Sequence, residues 1–298
     1  MTDLIDAQTI RLDAAGVTLV ADVAGPLDGT PVMLFHGGGQ TRHSWGTALR
    51  GLAAAGHRVW SVDLRGHGDS DWSPGGDYSD NVFPDDVRTV AQAVRDQHGP
   101  PILVGASLGG SASLAAEAGS DEPLARALVL VDVAPNIEPG GVERIRAFMH
   151  QHIETGFGSL DEVADAVAAY NPHRPRPSNL DGLKKNVRQR DDGRWYWHWD
   201  PSFMWSKRPD DEHRHILFAE RTARMEAAAR TIEVPTLLVR GRQSDLLSEE
   251  GAQRFLALVP HAEFVDVAGA GHMVAGDRND VFNGAVLDFI DRLDHEIR

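Results

Sequence analysis

Short apolar runs alternate along this chain with stretches whose apolar residues recur at helical spacing. Thr9 to Ala14 and Val17 to Val23 read as two strands of a hairpin turning near Ala15-Gly16. Pro31-Val32-Met33-Leu34-Phe35 is apolar throughout, the pattern of a strand covered on both faces. Similar runs occupy Arg58 to Asp63, Pro101 to Val104, Ala127 to Asp132, Pro235 to Arg240 and Ala262 to Val267. Between them lie helical patterns. Trp45, Leu49 and Leu52 follow a capping Ser44, and Val87, Val90, Ala91 and Val94 run between Pro84 and the stop Gly99-Pro100. Ala252, Phe255, Leu256 and Val259 follow the cap Ser248, and Phe282, Val286, Phe289, Ile290 and Leu293 share a face near the end. Strand and helix in alternation specify an α/β fold with a mostly parallel, doubly wound sheet. Ligands of such sheets gather at the carboxyl ends of the strands.

The alternation stops at about residue 134 and resumes at about residue 229. Residues 1–133 and 229–298 are therefore expected to form the core, and 134–228 an inserted, mainly helical cap over the strand ends. The insertion carries Asn171-Pro172-His173-Arg174-Pro175-Arg176-Pro177 and the run Arg194-Trp195-Tyr196-Trp197-His198-Trp199-Asp200. In an extended run Trp195, Trp197 and Trp199 share one face. They either pack the cap onto the core or wall an apolar substrate pocket.

The chemistry gathers after the strands. Gly105-Ala106-Ser107-Leu108-Gly109 stands between an apolar run and a small-residue helical stretch, the setting of a nucleophile elbow. The turn requires very small residues two before and two after the serine, which Gly105 and Gly109 satisfy. Ser107 is the candidate nucleophile, and the Leu108 amide at the helix start can donate to an oxyanion. A serine hydroxyl needs an adjacent base, and His272 in the loop after the last strand is the candidate. Asp245, after Pro235 to Arg240, is the acid expected to orient the imidazole. Asp132 is its rival, since it too ends a strand at the same edge. The second oxyanion donor is expected from His36-Gly37-Gly38-Gly39, with Gly38 first and Gly37 next. Asp63, at another strand end, is expected to brace the sheet edge through hydrogen bonds.

Composition narrows the classes. The chain has 298 residues, 42% of them hydrophobic, and a net charge of −15, which disfavours nucleic acid and anionic membranes as partners. With no cysteine there is no disulfide framework or thiolate nucleophile. Met1-Thr2-Asp3-Leu4-Ile5-Asp6 lacks the basic and apolar regions of a secretory signal, so a cytoplasmic location is expected. No metal site is expected at the pairs His150/His152 and His213/His215.

Taken together, the chain resembles the α/β-hydrolase superfamily across nearly its whole length. The likeness is carried by His36-Gly37-Gly38-Gly39, Asp63-Leu64-Arg65-Gly66-His67-Gly68-Asp69-Ser70, Gly105-Ala106-Ser107-Leu108-Gly109-Gly110, Asp245 and Gly271-His272, in the triad order Ser, Asp, His. Some members of the fold place the acid after the earlier strand, where Asp132 stands. The second of these segments is similar to the subgroup of epoxide hydrolases, dehalogenases, cofactor-free haloperoxidases and small-ester hydrolases. The first two would require an aspartate where Ser107 stands. The resemblance implies a cofactor-free serine hydrolase of small carboxylic esters or lactones, as a monomer or homodimer. Perhydrolase, C–C bond hydrolase and non-catalytic receptor readings are its alternatives. Trp195, Trp197, Trp199 and Met273 are assigned to the substrate pocket, with Arg42, beyond the oxyanion loop, placed either to meet a substrate carboxylate or to stand in solvent.

Overall fold

In the chain, taken as a computed structural model, residues 6–172, 176, 178–205, 211–272 and 279–296 are described. The first half carries β1 (Gln8–Asp13), β2 (Thr18–Ala24), β3 (Pro31–Phe35), α1 (Gly46–Ala54), β4 (Arg58–Val62), α2 (Val82–His98), β5 (Ile102–Ala106), α3 (Leu108–Ala118) and β6 (Ala127–Val131). Between β6 and the next strand of the sheet come α4 (Pro139–His150), α5 (Leu160–Tyr170), β7 (Val187–Gln189), β8 (Trp195–Trp197), α6 (Ser202–Trp205) and α7 (Asp211–Arg230). The chain closes with β9 (Thr236–Gly241), α8 (Glu249–Leu258), β10 (Glu263–Val267) and α9 (Asn279–Glu296). Eight strands form one sheet in the order β1-β2-β4-β3-β5-β6-β9-β10. β1/β2 and β2/β4 are antiparallel, and every later pairing is parallel.

The two-residue period of the apolar strands divides the core. Met33, Phe35, Leu103, Leu128, Leu130 and Leu238 point to one face, where α2 adds Val87, Val90 and Val94 and α8 adds Ala252 and Phe255. Val32, Leu34, Ile102, Val104, Val129 and Val239 point to the other. There α1 brings Leu49 and Leu52, and α9 brings Phe282, Val286, Phe289 and Ile290. Helices on both faces explain why these strands read as continuous apolar runs. Ser248 accepts from the Gly251 amide as its position before α8 predicts. Ser44 does not cap: Arg42–Trp45 forms a 3-10 turn, and α1 begins only at Gly46. The segment between β6 and β9 has a small core of its own around Met149, Phe157, Val163, Trp197 and Trp199. Its β7 and β8 form a separate antiparallel pair. No helix among the described residues is long and apolar enough to cross a membrane.

Polar side chains brace the loops at the carboxyl ends of β3 and β4. Buried Asp63 accepts from the Arg42 amide at 2.6 Å and the Asp69 amide at 2.9 Å, and pairs with the Arg42 guanidinium. Its bracing of the sheet edge is therefore direct. Two fully buried histidines complete the brace. His36 Nε2 accepts from the Leu64 amide at 3.0 Å, so Nδ1 carries the hydrogen and donates to the Gly37 carbonyl at 2.8 Å. His67 repeats the arrangement, with Nε2 accepting from the Gly39 amide at 3.1 Å and Nδ1 donating to the Arg65 carbonyl at 3.0 Å. Burial pushes His36 down to about 4 and His67 down to about 3, the charge of Arg42 contributing at the first and of His36 at the second.

Both imidazoles are held neutral in the folded chain, whereas the unfolded chain takes up protons near pH 6.5. Between pH 6.5 and about 4 the unfolded state binds more protons, so stability falls as pH falls. His36 alone accounts for a loss of about 3 kcal/mol across that window. The urea midpoint is therefore expected to drop steadily from pH 7 to pH 4. Imidazole NMR titration should show two histidines that remain neutral at pH 5; ordinary titration of His36 and His67 would refute the assignment.

Candidate active site

Ser107 stands between β5 and α3 with φ 47° and ψ −111°, a conformation that costs a side-chain-bearing residue about 1–3 kcal/mol. Backbone contacts on both sides hold it there. A Cβ at Gly105 would lie 2.4 Å from the Gly110 nitrogen, and one at Gly109 would lie 2.4 Å from the Phe35 oxygen. Only glycine fits at either position. The Ser107 amide donates to Val131 at 3.2 Å and the Gly109 amide to His36 at 3.1 Å, tying the elbow to β6 and to the loop after β3.

The three glycine amides of that loop have different fates. Gly37 donates to the Gln40 side chain at 3.0 Å and Gly39 to His67, whereas Gly38 has no acceptor among the described residues. Gly38 and Leu108, both lining the same cavity as Ser107, are the amides left open. The expectation that Gly37 could serve as the donor is corrected, because Gln40 occupies its amide.

His272 reaches the site across the end of β9. The chain after β10 passes so close over Gly241 that a Cβ there would lie 2.1 Å from the Gly271 oxygen. Gln243 donates to Ala270 at 2.9 Å and fixes that crossing. The loop delivers His272 Nδ1 to Asp132 Oδ2 at 2.7 Å. Asp132 is fully buried, has φ 51°, and also accepts from Ser244 Oγ at 2.5 Å and the Gly241 amide at 3.1 Å. The expectation that Asp245 orients His272 is thus corrected. Asp245 turns to Arg144 of α4 at 2.5 Å, and its neighbour Ser244 takes the inward place. With Nδ1–H donated to the carboxylate, Nε2 of the imidazole is left as the basic nitrogen.

The substrate-pocket expectations divide. Arg42 lies at neither of its expected places. It is buried, with Asp22 at 3.0 Å, Asp69 at 2.8 Å and Asp63 around its guanidinium, which burial pushes down but Asp63, Asp69 and Asp22 together raise above its ordinary value. Trp197 and Trp199 line the cavity; Trp195 does not, and instead exchanges backbone hydrogen bonds with Phe157. The bridge to Phe157 holds the Trp195 end of β8 outside the cavity that Trp197 and Trp199 reach. Met273 lies outside the described residues.

The cavity measures about 1100 Å³ and lies over Ser107, Gly38, Leu108 and His272. Phe148 and Met149 of α4, Phe203 of α6 and Arg221 of α7 also line it. Sequence reasoning singled out none of these four. The segment between β6 and β9 has no regular repeat to reveal which helix face turns to the strand ends. For Asp132 a signal existed, namely an acid directly ending the strand next to that of the nucleophile.

An α/β-hydrolase family model matches residues 32–285. Esterase Rv0045c of Mycobacterium tuberculosis is 31% identical over 83% of this chain and 78% of its own. The 3-hydroxybutyrate-oligomer hydrolase of Cupriavidus necator is 28% identical over 83% of this chain and 84% of its own. The 2-(acetamidomethylene)succinate hydrolase of Mesorhizobium japonicum is 27% identical over 94% of each chain. A solved structure of an E-2-(acetamidomethylene)succinate hydrolase superposes with a TM-score of 0.79 at 26% identity, covering 96% of this chain and all (100%) of the other. The chain belongs to the alpha/beta hydrolase family, and it is a hydrolase built on that fold.

Proposed function

We propose that the chain is a serine hydrolase that cleaves a small carboxylic ester or lactone through an acyl-enzyme, with Ser107, His272 and Asp132 as its triad. One observation carries this reading. The imidazole of His272 donates to a buried carboxylate at 2.7 Å, in the wall of the cavity that the strained Ser107 also lines. A buried aspartate on Nδ1 leaves Nε2 facing away from it, able to accept the Ser107 proton. Relatives named esterase support the choice of an ester bond.

In this mechanism Ser107 Oγ bonds to the ester carbon while its proton passes to His272. Asp132 stabilises the imidazolium that forms. The carbonyl oxygen becomes an oxyanion held by the Leu108 and Gly38 amides. When the carbon–alkoxy bond breaks, His272 returns the proton to the departing alcohol. Water then attacks the acyl-enzyme, giving one proton to His272, and the acid leaves as Ser107 regains it. The segment 134–228 acts as a cap that shapes the acyl and alcohol pockets, with Trp197, Trp199 and Phe203 as apolar walls.

A fluorophosphonate probe should label the wild type and leave Ser107→Ala unlabelled, and p-nitrophenyl acetate to decanoate turnover should vanish in the same variant. A fully active Ser107→Ala protein would end the proposal. The acid assignment has its own test. Asp132→Asn is expected to lower kcat by roughly three to four orders of magnitude, because the imidazole loses its tautomer and its counter-charge. Asp245→Asn should leave kcat within about threefold, since an ion pair whose arginine is exposed to solvent contributes little. The reverse ranking would restore Asp245 as the acid.

A further inference from the structure

The cavity over Ser107 is mostly apolar, yet charged side chains also line it: Asp80, Glu143, Arg146, Arg221 and Arg224. Arg224 is paired with Asp80. Arg221 is different. It is half-buried on α7, and its one hydrogen bond among the described residues runs from Nη2 to Ser111 Oγ at 3.3 Å. No carboxylate touches it among the described residues. The contrast with the rest of the molecule is sharp. Among the described residues the three buried arginines, Arg42, Arg65 and Arg240, each hold a carboxylate, at Asp63, Asp86 and Asp266. In a chain of net charge −15, acids to pair with Arg221 are plentiful, so a guanidinium that meets no carboxylate among the described residues is a feature of the wall. Burial pulls it below its ordinary value, with Asp80 offsetting this only in part, as expected of a cation removed from water without an anion.

Its position relates it to the reacting centre. Ser111 lies one helical turn after Ser107, its amide donating to the Ser107 carbonyl at 2.9 Å. The guanidinium bonded to Ser111 is therefore held over the first turn of α3, in the wall of the cavity that Ser107 also lines. A short alkyl chain suffices to join the two.

Resting on the serine-hydrolase reading above, we propose that the substrate is an anionic ester, one whose acyl or alcohol portion ends in a carboxylate that the Arg221 guanidinium binds. With Arg146 and Arg224 set against Glu143 and Asp80, the charged lining keeps one net positive charge, that of Arg221, which favours anions over neutral chains at longer range. The apolar rings opposite then cover the methylenes between the carboxylate and the ester. Arg221 acts as a specificity-determining residue, touching substrate remote from the bond that breaks.

The test compares esters that differ only in the anion. Mono-p-nitrophenyl adipate and suberate are measured against p-nitrophenyl hexanoate and octanoate, and 6-acetoxyhexanoate against hexyl acetate for the alcohol side. Wild type is expected to prefer the carboxylate-bearing member of at least one series by tenfold or more in kcat/KM. Arg221→Gln should lose that preference, about ten- to hundredfold, the worth of a hydrogen bond to a charged group. Its turnover of the neutral esters should stay within about twofold of wild type, and Arg221→Lys should recover part of the preference. Labelling of Ser107 with turnover of neutral esters, but no gain for any carboxylate-bearing one, would overturn the anion site alone. Equal loss on anionic and neutral esters in Arg221→Gln would overturn it as well, by making the residue structural. Absence of both labelling and turnover on every ester would instead overturn the serine-hydrolase reading beneath it.

Discussion

Everything at the site depends on how closely two pieces of backbone approach each other around Ser107. The turn from β5 into α3 presses Gly105 against Gly109 and Gly110, and presses Gly109 against the carbonyl of Phe35 at the end of β3. No side chain fits into these contacts. Because α3 is held hard against the sheet, its first amide faces the same space as the Gly38 amide, and the serine is forced to positive φ. The strain is small beside the burial of two apolar faces that flank β5. The sheet can therefore impose an unfavourable conformation on one residue and hold it there.

A second constraint is that loops at a carboxyl edge must satisfy their polar groups without water. Here they do so through side chains set into neighbouring loops. His36 reads the backbone after β4, His67 reads the backbone after β3, and Asp63 gathers the amides of Arg42 and Asp69. Each imidazole donates at one nitrogen and accepts at the other, a division available only to the neutral ring. The consequence for the site is that Gly37 and Gly39 are consumed in holding the loop, and of the three glycine amides only that of Gly38 meets no acceptor among the described residues. The bracing decides which amide is left to the cavity.

Most of the sheet was legible because its physics is local. Strands covered on both faces produce runs such as Pro31 to Phe35, and the elbow must carry small residues at fixed offsets from its serine. What was not legible depends on which loop lies over which strand. Asp132 and Asp245 both follow strands at the same edge, and both fall between Ser107 and His272, so chain order does not choose between them. In space β6 lies beside β5, and the loop bearing His272 crosses β9 to reach it, a crossing made possible by Gly241. Arg42 looked available because nothing in its local sequence shows that Asp22, Asp63 and Asp69 converge on it from other segments. Trp195 was misplaced for a related reason. Alternation gives a shared face but not how far along it the cavity reaches, and Trp195 sits where β8 is bridged by Phe157.

The displacement of Asp245 from the imidazole gives it other work. Its carboxylate meets Arg144 on α4, the Glu138 amide donates to Leu246 at 2.8 Å, and a Cβ at Gly141 would lie 2.2 Å from the Asp245 oxygen. The loop after β9 thus seats the first turn of α4, the helix whose Phe148 and Met149 form part of the cavity wall. One residue earlier, Ser244 donates into the Asp132 carboxylate that His272 shares. Residues 244 and 245 therefore face opposite ways, one bonded to the carboxylate that holds His272 and the other to the helix that walls the cavity. A shift of this loop would move the hydrogen bonds of Asp132 and the cavity wall together, so the orientation of His272 and the shape of the cavity beside it are set by the same few residues.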